Sequence, residues 1–277
     1  MPELRLESLH LEIDPANTAW LTFNHGKANE IGSVELGDIE RVTAWLRATP
    51  AIRTLISRSD RVSKSGTPIF VAGANVTERT GWTDDDIKRH VRRQRAALAA
   101  LAAAPVLHVG LVAGVAFGWG TEYLLTCDYV LAIDGARFAL PETGIGILPG
   151  AGGTSELQLR IGPAQALRLG MTGEAIDAAE AVRIGLAQER FAAAEPAEAR
   201  ARQLAAACAT RSPTANATFK HALRGSQGRN PVERAEIEAR AYERCVDSGE
   251  AAIGRARFSG APDAPGWGPR RLPDGEG

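Results

Sequence analysis

Two glutamates in glycine-rich and otherwise apolar segments constrain this chain more than any other feature. Glu122 follows V-A-G-V-A-F-G-W-G-T, and Glu142 lies in F-A-L-P-E-T-G-I-G, shortly before L-P-G-A-G-G. Burying a carboxylate without a partner is costly, so apolar surroundings indicate either a neutralised group or a functional one. Two such carboxylates near each other can share protons and hold a water molecule, as general acid–base chemistry requires. The glycines leave backbone N–H groups uncovered, and such groups can stabilise a developing negative charge.

The composition is that of a globular protein and argues against several functions. Of the 277 residues, 44% are hydrophobic and 23% are charged, which suits one large domain with an appendage. The formal net charge of -1 argues against a general nucleic-acid or anionic-membrane binder. The three cysteines form neither a disulfide framework nor a zinc pattern, and the N-terminus lacks the apolar core of a signal peptide. We therefore expect a cytoplasmic protein without a metal site.

One segment is long enough to raise the question of a membrane span. Residues 96–121 contain no Asp, Glu, Lys or Arg. However, Pro105 and His108 interrupt this segment, and several glycines dilute it. The end of an alanine-rich helix followed by a buried strand explains the pattern better, so we predict no membrane span.

Strand and helix patterns alternate along the first two thirds of the chain. The predicted strands are residues 4–13, 19–23, 54–57, 68–74, 106–112 and 129–133. The predicted helices between them are residues 34–48, residues 84–104 behind Thr83 as N-cap, and the segment that carries Glu122. This alternation predicts an α/β core with crossover connections. The C-terminal third is mostly helical in pattern.

Composition divides the chain into three parts. We assign residues 1–195 to the α/β core and residues 196–258 to a helical C-terminal region. Residues 259–277 are rich in glycine and proline, so we expect a disordered tail there.

Several ordered motifs resemble the crotonase superfamily, the enoyl-CoA hydratase/isomerase group. I-F-V-A-G-A-N at residues 69–75 is similar to the F-S-A-G-A-D segment of that family. Residues 112–128 resemble its N-G-x-x-x-G-G-G-x-E-L-A-x-x-C-D motif, and residues 138–154 match F-x-x-P-E-x-x-x-G-I-x-P-G-x-G-G-T nearly throughout. Several motifs in the family order are a far more specific signal than one glycine motif.

The resemblance implies a fold, an assembly and a ligand. The fold would be a crotonase-like spiral of repeated ββα units with a helical C-terminal trimerisation region, assembled as a homotrimer or hexamer. The ligand would be an acyl thioester of coenzyme A, and the backbone amides of Ala72 and Trp119 would form an oxyanion hole for its carbonyl oxygen. The further residues that the resemblance implies for substrate binding are Lys27, Ala28, Ala74, Gly118 and Gly146.

Both family carboxylates are present, and this favours hydration. In hydratases of the group, the glutamate that corresponds to Glu142 delivers or removes the proton at C2. The glutamate that corresponds to Glu122 positions and activates the water that attacks C3. The implied reaction is syn addition of water to a 2-enoyl-CoA, or the reverse dehydration, without a separate cofactor. An isomerase or a biosynthetic dehydratase of the same fold is the alternative, and a non-catalytic CoA-ester-binding subunit is a third hypothesis.

Two sequence features qualify this interpretation. Trp119 replaces the glycine that the family usually has at that position, so its indole is expected to reshape the acyl or the pantetheine pocket, or to close it. The basic run at residues 88–95 is either a solvated helix face or a contact for the phosphates of coenzyme A.

Overall fold

The computed structural model describes residues 4–271, which form strands, helices and the turns between them. The strands are β1 (His10–Ile13), β2 (Thr18–Phe23), β3 (Thr54–Ser59), β4 (Ile69–Val71), β5 (Leu107–Val112), β6 (Val115–Phe117), β7 (Tyr129–Ile133), β8 (Arg137–Ala139), β9 (Ile176–Asp177) and β10 (Glu189–Phe191). The helices are α1 (Ser33–Ala48), α2 (Asp84–Ala102), α3 (Trp119–Leu124), α4 (Gly153–Ile161), α5 (Pro163–Thr172), α6 (Ala178–Ile184), α7 (Ala194–Ala209), α8 (Pro213–Gly225), α9 (Pro231–Asp247) and α10 (Glu250–Phe258).

The strands form two sheets, and from β3 to β8 consecutive strands alternate between them. The larger sheet has the order β1-β2-β3-β5-β7-β10 and is parallel except for the β1–β2 pair. The smaller sheet has the order β4-β6-β8-β9, with β4, β6 and β8 parallel. Each successive strand pair, β3 with β4, β5 with β6 and β7 with β8, therefore gives its first strand to one sheet and its second to the other. This repetition confirms the predicted spiral of ββα units.

Both faces of the larger sheet are buried along its central strands β2, β3, β5 and β7. Leu55, Val112 and Val130 lie in a core cluster that also holds the side chains of the smaller sheet. Their chain neighbours Ile56 and Leu131 lie in a second cluster, on the face that α7 covers. Because successive strand residues point to opposite faces, two covered faces require strands that are apolar throughout.

Local sequence explains where the elements begin and end. Thr83 caps α2 as predicted, and Asp86 completes a capping box by accepting the Thr83 amide. The first strand is shorter than the predicted range of residues 4–13, because the amides of Glu7, Ser8 and Leu9 donate to the buried carboxylate of Asp38 instead of to a neighbouring strand. Strands β6 and β8 have three residues each and were not predicted.

We expected residues 259–277 to be a disordered tail, but up to residue 271 the structure places this segment against the core. The buried guanidinium of Arg270 donates to the carbonyl oxygens of Leu46, Ile52 and Pro105 at 2.9, 3.2 and 2.8 Å. These long-range bonds hold the segment against the core despite its glycine and proline content. Residues 272–277 lie outside the described residues, as do residues 1–3.

The apolar segment at residues 96–121 is divided between the end of α2, two strands and the start of α3. Within residues 4–271, no helix is long and apolar enough to cross a membrane.

Two glycines allow the repeated units to pack closely. A Cβ atom on Gly114 would lie 1.8 Å from the carbonyl oxygen of Pro68, and one on Gly120 would lie 2.2 Å from that of Val71. Both distances are far below van der Waals contact, so only glycine fits at these positions. The second contact packs the start of α3 against the end of β4.

We expect Gly120→Ala to destabilise the protein by about 3 kcal/mol, because the added methyl group forces α3 away from β4. The measurement is urea unfolding followed by circular dichroism. Gly170→Ala is the control, since a Cβ atom at that helical glycine meets nothing within 4 Å. Equal stability of the Gly120→Ala protein and the wild type would contradict the packing described here.

Candidate functional site

The two glutamates line one cavity of about 780 Å³. Its wall is formed by the turn after β4, the start of α3, one face of α2 and the loop between β8 and α4. The predicted site residues that line it are Ala72, Ala74, Gly118, Trp119, Glu122, Glu142 and Gly146. A second cavity of about 390 Å³, next to α7 and α8, contains neither glutamate.

Glu122 lies in the first turn of α3 and is 3% exposed. Its Oε1 accepts hydrogen bonds from the amides of Ala151 and Gly153, at 2.7 and 2.8 Å. Burial raises the pKa of Glu122, and the two amide donors oppose that rise. The two bonds fix one carboxylate oxygen at the start of α4.

Glu142 is half-buried in a short 3-10 helix, Pro141–Ile145. Its carboxylate lies directly over Gly118, since a Cβ atom there would be 2.8 Å from Glu142 Oε1. Within residues 4–271, the buried Oε2 atom has no hydrogen-bond partner. Burial raises the pKa of Glu142 to about 7, and the negative charge of Glu122 adds to the rise. A carboxyl with this pKa is suited to both giving and taking a proton near neutral pH.

The turn after β4 contains an amide without an acceptor, but it is not the one predicted. The Ala72 amide donates to the carbonyl oxygen of Ala28 at 3.1 Å, so it is already used inside the protein. The Ala74 amide has no hydrogen bond to any described residue. The prediction of Ala72 as an oxyanion donor therefore does not fit this geometry, and Ala74 offers the free amide.

The other predicted donor lies close to this turn. Trp119 is the first residue of α3, and the first N–H groups of a helix have no acceptor inside it. A Cβ atom on Gly118 would lie 4.0 Å from the Cα atom of Gly73, so the two turns are neighbours. The structure thus brings the amides of Ala74 and Trp119 to one side of the cavity that holds both carboxylates.

Two predicted substrate-binding residues do not line the cavity. Lys27 and Ala28 lie beside it, and their backbones hold other segments in place. The Lys27 carbonyl oxygen accepts from Arg61 Nε at 3.2 Å, and the Ala28 carbonyl oxygen accepts from Ala72.

Some lining residues were not predicted from the sequence. Arg79 and Gln94 line the cavity, and Gln94 is 3% exposed. Gln94 follows Ile87 and Val91 at helical spacing in α2, and all three line the cavity. A polar residue on an otherwise apolar helical stripe was the signal that could have identified it.

We expect Glu142→Gln to stabilise the fold above about pH 7. The pKa of Glu142 rises from about 4.3 in the unfolded chain to about 7 in the folded chain. Between these values the folded state binds more protons, so the free energy of unfolding falls as pH rises. Glutamine does not titrate, so the variant does not lose stability in this way. Between pH 5 and pH 8 we expect its free energy of unfolding to rise by about 1 to 2 kcal/mol relative to that of the wild type. This is less than the full pKa shift would give, because water screens part of the carboxyl.

The measurement is urea unfolding of both proteins at pH 5 and pH 8. A stability difference between them that does not change with pH would show that the Glu142 carboxyl is not destabilised in its charged form.

Comparisons with known proteins indicate the family of this chain. The enoyl-CoA hydratase/isomerase family model matches residues 58–264. Enoyl-CoA hydratase domain-containing protein 2, mitochondrial, of Mus musculus is 36% identical over 151 residues, which are 54% of this chain and 49% of that protein. The chain therefore spans about half the length of that relative.

Two further relatives match over most of both chains. The putative enoyl-CoA hydratase/isomerase YngF of Bacillus subtilis (strain 168) is 29% identical over 255 residues, which are 91% of this chain and 95% of that protein. The crystal structure of enoyl-CoA hydratase from Bacillus anthracis superposes with a TM-score of 0.86 and 25% identity, covering 94% of this chain and 99% of that one. Together with the family model, these similarities show that the chain belongs to the enoyl-CoA hydratase/isomerase family and has the crotonase fold.

Proposed function

We propose that the protein is an enoyl-CoA hydratase, which adds water to the C2–C3 double bond of a 2-enoyl-CoA or removes it from the 3-hydroxyacyl-CoA. The observation that carries this proposal is the presence of Glu122, Glu142 and the amides of Ala74 and Trp119 around one cavity. Family membership supports a thioester substrate.

The two amides bind the thioester carbonyl oxygen. Addition of water at C3 moves negative charge onto that oxygen, and N–H groups fixed in advance stabilise the charge without reorganising. Because the Trp119 amide is at the N-terminus of α3, the helix dipole adds to this stabilisation. The free amide supports Ala74 instead of Ala72 as the donor from this turn.

Each of the two carboxyls carries out one of the two proton transfers. Glu122 holds the attacking water with the carboxylate oxygen that the two amides leave available, and it accepts a proton as the water oxygen bonds to C3. Glu142, which lines the same cavity, delivers a proton to C2. Proton exchange between the two carboxyls then restores the starting state. The thioester acidifies C2 by itself, so this chemistry needs no separate cofactor.

We expect Glu142→Gln and Glu122→Gln each to lower the hydration rate by about 10² to 10⁴ with the fold intact. The assay follows the loss of the enoyl-thioester ultraviolet band of crotonyl-CoA. The matched control is Glu156→Gln in α4, whose carboxylate faces Arg224 at 3.7 Å. Undiminished hydration by the Glu142→Gln protein would overturn the proposal.

The same assay separates hydration from isomerisation. An isomerase moves a double bond with one base and needs no held water, so it would convert a 3-enoyl-CoA and remain active after Glu122→Gln. Turnover of the 3-enoyl thioester alone would assign the alternative activity to this site.

We further propose that the chain assembles as a trimer or a hexamer through its C-terminal helices. Several large apolar side chains on these helices are exposed in the single chain, among them Phe219 at 70%, Tyr242 at 74% and Phe258 at 96%. Such side chains on neighbouring helices are typical of a protein–protein interface. We expect light scattering to give three or six times the chain mass, and a monomer at micromolar concentration would contradict the assembly.

A further inference from the structure

One wall of the cavity is rich in cations. Arg79, Lys88, Arg92 and Arg95 all line it, and they come from α2 and from the 3-10 turn before it, Thr77–Arg79. The acidic residues that line the cavity are the two glutamates of the proposed reaction centre. This wall therefore carries an excess of positive charge.

Two of these cations are already engaged. Lys88 pairs with Asp85 at 3.2 Å, and Arg95 Nε donates to the carbonyl oxygen of Gly150 at 2.9 Å. Arg79 and Arg92 have no ion pair or hydrogen bond from their side chains within residues 4–271. Arg92 is exposed, whereas Arg79 is half-buried with its Nε atom fully covered.

The nearest acidic residue does not satisfy Arg79. Glu78 Oε2 accepts the amide of Ser33 at 2.9 Å, and Glu78 Oε1 lies 3.5 Å from His90 Nε2. Burial lowers the pKa of Arg79, and the charge of Glu78 opposes this only in part. A partly desolvated guanidinium without a bonded partner is costly, and a carboxylate on a ligand would supply the partner.

Two further residues that line the cavity have a side-chain N–H group without an acceptor. Gln94 Nε2 and Trp119 Nε1 are buried, and neither has a hydrogen-bond partner among the described residues. The Trp119 indole is held in place by stacking on Tyr123, with ring centroids 5.5 Å apart. The Tyr123 hydroxyl is 2.7 Å from Ser57 Oγ, so the stack is itself fixed. Together with Arg79, three residues that line the cavity therefore have a side-chain N–H group without a partner, which favours an oxygen-rich ligand group over an alkyl chain.

We propose that the acyl group of the substrate carries a carboxylate at the end away from the thioester, and that Arg79 binds this carboxylate while Gln94 and Trp119 supply further N–H donors to the acyl group. This rests on the proposed function, whose substrate class it narrows to 2-enoyl-CoA esters of dicarboxylic acids.

The phosphates of coenzyme A are a second source of anionic oxygens. The exposed Arg92 suits a phosphate in solvent, whereas Arg79 is partly buried and only five residues beyond Ala74, whose amide we place at the thioester. The partial burial of Arg79 therefore favours the acyl carboxylate as its ligand. The two sources differ in their response to the acyl end group, because all coenzyme A esters share the same phosphates.

The test compares hex-2-enedioyl-CoA with hex-2-enoyl-CoA, which differ only in having a carboxylate or a methyl group at the acyl end. We expect Arg79→Gln to lower kcat/KM about 10- to 100-fold for the diacid ester, as expected for a lost charged hydrogen bond. The neutral ester should change by less than about threefold. The matched control is Arg89→Gln on α2, whose side chain pairs with Asp86 and does not line the cavity.

Equal losses for both esters would assign Arg79 to coenzyme A and overturn the inference, as would no loss for either. Calorimetry with hexanedioyl-CoA and hexanoyl-CoA keeps the test independent of turnover. One outcome separates the two proposals: neither enoyl ester is hydrated, but the wild type binds the diacid ester more tightly than the neutral one and the Arg79→Gln protein does not. The proposed hydration then fails, and the carboxylate site stands. Equal binding of both esters by the wild type overturns the site.

Discussion

The close approach of α3 to the end of β4 is the contact on which the candidate site depends. Gly120 packs against the carbonyl oxygen of Val71 at a separation that no side chain allows. This contact places the start of α3 beside the turn after β4, so that the amides of Trp119 and Ala74 open into the same cavity. Glu122 lies two residues after Gly120 on the same helix, and it therefore lines the same cavity. The backbone contact between Gly120 and Val71 thus determines the positions of the Glu122 carboxyl and of the two amides.

The two carboxyls lower the stability of the fold, and their surroundings offset only part of this cost. Burial disfavours the charged form of both Glu122 and Glu142, and neither has a cation bonded to it among the described residues. For Glu122, two backbone amides offset part of this cost. For Glu142, a backbone N–H group opposes the rise, and its pKa reaches about 7. The same desolvation that weakens the fold prepares the carboxyl for proton transfer near neutral pH.

The sequence predicted the repeated α/β architecture and both glutamates, because each depends on residue patterns that are local in the chain. It did not distinguish Ala72 from Ala74, since the choice depends on which amide meets the carbonyl oxygen of Ala28, more than forty residues away. The anchoring of the C-terminal segment by Arg270 is also long-range, so composition alone predicted disorder. Arg79 gave no signal, because its partial burial arises only when α2 packs over the cavity.

The central claim is that two amides, from the turn after β4 and from the start of α3, polarise a thioester carbonyl between the two carboxyls. The most direct test is the Raman spectrum of an unsaturated acyl-CoA bound to the Glu142→Gln protein, in which turnover does not obscure the complex. We predict that the carbonyl stretch shifts to lower frequency on binding, because both N–H groups draw electron density toward the oxygen. An unshifted carbonyl band in a saturated complex would contradict the account.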